Sequence, residues 1–117
     1  MRHGMLIIDA DGHALDQESM YRQRLPEQFR RRQSIGGGGD GFDRRQNGRI
    51  PYPPVTVERY LQDADREGID VMVLYPTSGL GYTRLREHDY SMAYAQTYND
   101  WIATWCAANP TRLKAVC

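Results

Sequence analysis

The 117 residues are enough for one modest domain with a core of its own. Fifteen basic and fifteen acidic side chains cancel, so no overall field draws the chain to nucleic acid or to an anionic membrane. No apolar run is long enough to span a bilayer and the N-terminus lacks a signal-peptide core. Cys106 and Cys117 do not have the spacing of a metal-binding pair, and the expectation is a reduced, cytoplasmic protein.

In chain order, Met5 to Asp9 reads as a first strand, with the loop leaving its carboxyl end from Asp11 to about Ser19. In extended backbone, residues two apart share a face. Asp9, Asp11 and His13 are therefore expected to project together, with the small Ala10 and Gly12 on the other side. Two carboxylates and an imidazole are costly to bury unless they pair or hold a cation. The plainer alternative is a strand end whose polar residues cap a turn. Tyr21 to Arg32 has room for a short helix, started or interrupted near Pro26. Gly36 to Gly41 is a flexible tract, and Pro51, Pro53 and Pro54 close that region in extended form. From Met20 to Ile50, eight arginines face Glu27, Asp40 and Asp43, a local excess of five positive charges. Such an excess could hold a phosphate or carboxylate or contact RNA, but without interleaved aromatics it reads first as a solvated Arg/Gly-rich insertion at about 30–52.

Thr56 is placed to cap a helix whose apolar stripe is Val57, Tyr60, Leu61 and Ala64, with Gly68 as its terminator. A nearly continuous apolar strand follows, Ile69 to Tyr75, ended by Pro76. Such strands belong to parallel sheets covered on both faces. In parallel α/β folds the loops at carboxyl ends of strands carry the site. Thr77 and Ser78 therefore read equally as pocket lining or as a small-residue connector. His88 falls in the cap region of a long helix, Asp89 to Ala108, whose Tyr90, Ala93, Tyr94, Thr97, Tyr98, Trp101, Ile102 and Trp105 form an aromatic core face. Asn109-Pro110 ends it, and Thr111 to Cys117 begins a third strand.

Asp11-Gly12-His13 resembles the metal-binding pair at the first barrel strand of the amidohydrolase-2 branch of the metal-dependent amidohydrolases. Gly68-Ile69-Asp70, Tyr98-Asn99-Asp100-Trp101 and Asn109-Pro110-Thr111-Arg112-Leu113-Lys114 resemble the same family's later landmarks. The resemblance covers nearly the whole chain outside the Arg/Gly-rich region. It implies an α/β fold, the N-terminal part of a (β/α)8 TIM-barrel-like architecture with about two and a half βα units of parallel strands. A full barrel takes about 250 residues. It further implies that Asp11 and His13 hold a divalent metal, zinc first and manganese second. Asp9 would support those ligands without binding the metal itself. The catalytic acid and the other ligands would lie beyond Cys117. The implied chemistry is hydrolysis or non-oxidative decarboxylation of a small molecule, with no nucleic acid or membrane partner. This chain alone would be incomplete and inactive, and would self-associate or pair with a complementing chain. The alternatives are a haloacid-dehalogenase-like phosphatase, with Asp9 as nucleophile and Asp11 as acid/base, and a non-catalytic fragment or partner-binding subunit. In the phosphatase pattern a Thr stands where this chain has His13.

Overall fold

A computed structural model describes residues 4–32 and 56–117. The Arg/Gly-rich insertion expected at about 30–52 lies outside the described residues except for residues 30–32.

Strand β1 (Ile8–Ala14) leads into two short helices, α1 (Glu18–Arg24) and α2 (Glu27–Arg30). Pro26 separates them: it has no N–H to continue α1, and its fixed φ suits the entry to α2. Helix α3 (Val57–Glu67) starts where the Thr56 side chain accepts the Arg59 N–H. It stops at Gly68, whose φ of 75° lies in the left-handed region that favours glycine. Strand β2 (Val71–Pro76), a 3-10 helix (Ser78–Arg84), helix α4 (His88–Cys106) and strand β3 (Leu113–Ala115) complete the chain. His88 opens α4 and is exposed, as a cap-region residue should be.

The three strands form one parallel sheet in the order β1-β2-β3. β1 is longer than the sequence suggests. It runs through Ala14, so Asp11 and His13 lie within the strand rather than in a loop after it. Its pairing with β2 slips between Asp9 and Gly12: Asp9 sits opposite Met72 and Gly12 opposite Leu74. Three steps along β1 match two along β2, a bulge that carries one extra residue.

One face of the sheet is covered. Ala14, Leu74 and Leu113 are buried there with Tyr94, Tyr98, Ile102 and Cys106 of α4, and Met20, Tyr21, Leu25 and Phe29 join the same core. Tyr60 of α3 meets Trp105 of α4 edge to face at 4.9 Å, so both crossover helices pack on that side. The opposite face bears Ile8, His13, Val71, Val73, Tyr75 and Lys114. None of these belongs to the core, and Ile8 is 53% exposed. Arg112 joins the layers: it donates to the backbone carbonyls of Ile69 and Asp70 and pairs with Asp65 at 2.7 Å. No helix among the described residues is long and apolar enough to cross a membrane.

Candidate functional site

The candidate residues sit at the carboxyl end of β1 and in the segment after β2. Asp9, Asp11 and His13 were expected on one face, and the bulge changes that. The register carries Asp9 to the side of Gly12, and Asp9 Oδ2 lies 3.1 Å from where a Gly12 side chain would begin. Asp9 Oδ1 accepts the Asp11 N–H at 3.0 Å. Asp9 thus closes the local turn of the bulge, which is the plainer reading of this cluster. Asp11 and His13 follow the extra residue. His13 pairs with Tyr75 on the uncovered face, and both Asp11 and His13 are exposed.

His13 is held from two directions. Its Nδ1 lies 3.0 Å from the Pro76 carbonyl oxygen. A carbonyl only accepts, so in this contact Nδ1 carries the proton, and in the neutral ring Nε2 keeps its lone pair. The backbone is fixed by Tyr60 of α3, whose hydroxyl donates to the His13 carbonyl at 2.8 Å and accepts the Leu15 N–H at 3.1 Å.

A residue that the alternation argument passed over organises the end of the sheet. Asp16 is 1% exposed. Its Oδ1 accepts the N–H groups of Thr77 (3.0 Å) and Ser78 (2.8 Å), and its Oδ2 accepts the Gly79 N–H and the Tyr21 hydroxyl, both at 2.6 Å. Four donors converge on one buried carboxylate, which is the condition under which such a group is tolerated inside a protein. Burial, and then the bond to Asp16, push the Tyr21 hydroxyl far above the ordinary tyrosine range, which keeps it a donor. Thr77 adds a bond from Oγ1 to the Ala14 carbonyl at 2.7 Å. Thr77, through its N–H and its hydroxyl, and Ser78, through its N–H, thus tie the segment after β2 to the end of β1. In the same segment Gly79, Leu80 and Tyr82 line a cavity of about 470 Å³ against α4.

Among the described residues no group of three His, Cys, Asp or Glu side chains is placed to hold a metal. Asp11 and His13 supply two donors of the right type, an oxygen and an imidazole nitrogen. A catalytic zinc site normally takes three from protein. No protein-family profile matches the chain, and no curated protein matches it in sequence.

Proposed function

We propose that Asp11 and His13 contribute two ligands to a divalent-metal site of the amidohydrolase type, most simply zinc, completed by residues outside those described. The observation that carries this reading is the His13 ring. Its Nδ1 is committed to a backbone carbonyl, which leaves Nε2 available on an exposed strand face at the carboxyl edge of a parallel sheet. Metal-binding histidines are oriented in this manner, by donating the other ring N–H to a carbonyl or carboxylate. A metal there would supply a Lewis acid for activating water or polarising a substrate carbonyl or carboxylate. The chain's own part is to present the two donors on a strand, with the ring fixed by Pro76 and the backbone fixed by Tyr60. The reaction class is hydrolysis or non-oxidative decarboxylation of a small molecule, in the setting of a barrel whose first strands these would be. Asp9 stabilises the bulge that turns the pair outward.

The phosphatase arrangement needs Asp9 and Asp11 to act together. The bulge separates their faces and Asp9 is engaged by the Asp11 N–H, so no contact here favours it.

The test is calorimetric titration of the chain with zinc. Two ligands give weak binding that a chelator reverses at once. Asp11→Ala and His13→Ala should each abolish it, while Asp9→Asn should retain it. Tight binding that survives both alanine substitutions removes the assignment.

A further inference from the structure

Two shortfalls lie on the same side of the molecule. The uncovered sheet face carries Ile8, Val71, Val73 and Tyr75 outside the core. Asp11 and His13 are exposed beside them and give a zinc ion two donors. His13 is the cross-strand partner of Tyr75, and Gly12, between the two donors, is the partner of Leu74. Val73 and Tyr75 flank Leu74 on β2, so apolar side chains bracket the donor pair. The Pro76 carbonyl takes Nδ1 of His13, which leaves Nε2 for a metal.

Donor count and charge choose what covers this face. A closed zinc site takes four protein ligands in a tetrahedron. Among the described residues of one chain, no third His, Cys, Asp or Glu is placed to join the pair. A second copy related by a two-fold axis presents the same patch, and with it the same two donors. Charge leads to the same number. One carboxylate against a divalent cation leaves a net positive charge, which is costly to bury under a second sheet. Two carboxylates and two neutral imidazoles leave none. Lys114, on the same face, directs its ammonium to the Pro110 carbonyl at 2.6 Å, ahead of β3. Packed sheets lie about 10 Å apart and fill the gap with side chains from both. A metal about 2 Å beyond an imidazole nitrogen therefore stands within reach of the opposite face. We infer that zinc joins two copies of this chain through their open sheet faces, each copy giving Asp11 and Nε2 of His13 to one shared ion. The inference rests on the reading of Asp11 and His13 as metal ligands, and it names a second copy as the source of the other two donors in the isolated chain. Four protein ligands leave no place for water, so the zinc-linked pair is a closed form of the site.

Sedimentation equilibrium of the whole chain, over a series of concentrations with zinc and with a chelator, tests this when paired with zinc counts on the separated species. Zinc should lower the chain concentration at which half is dimeric by about tenfold or more, by mass action on the species that binds it. The dimer should carry one zinc per two chains, and cobalt in its place should give the intense visible bands of a four-coordinate ion. Asp11→Ala and His13→Ala should each lose the zinc response, while Asp9→Asn keeps it. One zinc per chain on a monomer overturns the inference and leaves the ligand pair standing. Association that zinc does not change, or a zinc response that persists in both alanine variants, overturns it too. A chain that binds no zinc at any concentration removes both this inference and the reading beneath it. The parent chain's stoichiometry and its response to the chelator decide the matter even where a variant fails to fold.

Discussion

Asp16 carries more of this structure than any other single polar side chain described. It satisfies three consecutive backbone N–H groups at the start of the 3-10 helix and one tyrosine hydroxyl. Asp16→Ala takes the acceptor from two buried donors, the Gly79 N–H and the Tyr21 hydroxyl, and from two part-buried ones, the Thr77 and Ser78 N–H groups, and each buried group left without a partner costs about 1–3 kcal/mol. A loss of at least about 3 kcal/mol is expected in urea unfolding, a large share of a small domain's stability. Tyr21→Phe removes one donor and leaves the carboxylate three partners, so about 1 kcal/mol is expected. Gly79→Ala meets a steric limit instead. Its new methyl would stand 2.8 Å from Pro76 Cβ and 3.1 Å from both Asp16 Oδ2 and the Tyr21 hydroxyl. Overpacking of this kind costs about 1–3 kcal/mol. An Asp16→Ala chain within about 1 kcal/mol of the parent would show that the N–H groups find other acceptors.

Two elements set the chemistry available to the rest. In β1 the bulge re-aims side chains: it sends Asp9 inward to its own turn and leaves Asp11 and His13 outward. In α4 the aromatic stripe is buried, and its phenols dictate the response to alkali. Tyr94 stacks on Tyr21 with ring centroids 4.0 Å apart. Burial, as the leading cause in each case, raises the hydroxyls of Tyr21, Tyr90, Tyr94 and Tyr98 above the ordinary value of 10.0. The sign follows from linkage. In the unfolded chain these phenols lose their protons near pH 10, and in the folded chain they keep them to higher pH. Their contribution is complete below pH 10 and is lost as pH rises past it. Urea midpoints should therefore hold steady from neutrality to about pH 9 and fall steeply above about pH 10. Four of the eight tyrosines in the sequence should become tyrosinate only as circular dichroism reports unfolding. Phenols that all titrate near pH 10 in a chain that stays folded would contradict the burial described.

At the scale of the molecule the imbalance lies between the two faces of the sheet. Parallel sheets are normally covered on both sides. Here every described helix packs on one side, and Ile8, Val71, Val73 and Tyr75 remain on the other beside His13. Among the described residues both β1 and β3 stand at edges of the sheet, and edge strands are templates for pairing. The chain by itself should therefore associate or fold incompletely. Sedimentation over a wide concentration range should reveal dimers or larger species, and Val73→Glu on the open face should shift them toward monomer. A monodisperse monomer that unfolds cooperatively at high concentration would mean that this sheet needs no cover.

Local rules made the elements legible. Thr56 and Gly68 bracket α3 because a side-chain oxygen and a left-handed residue act within one helical turn. Pro26 divides α1 from α2, and the unbroken apolar run of β2 marks a parallel strand. Gly68-Ile69-Asp70 and Arg112, which carried much of the family resemblance, meet in space as one junction: Arg112 donates to the Ile69 and Asp70 carbonyls, and Asp70 accepts the Ile7 N–H at 2.9 Å. These residues hold the scaffold, so they speak to fold more than to chemistry. The site was legible only in part. Strict alternation put Asp9 with Asp11 and His13, but a bulge arises from pairing with β2, and no local pattern in β1 announces it. Asp16 lay outside the alternating set, and the N–H groups it binds are 61 to 63 residues away along the chain. The Pro76 carbonyl that fixes the His13 ring is 63 residues away. The sequence alone determined where helices start and stop and which strands are apolar, because those preferences act over a few residues. The tertiary structure decided which carboxylate is buried, which faces outward and which imidazole nitrogen is left open, because each depends on partners that only the folded sheet brings together.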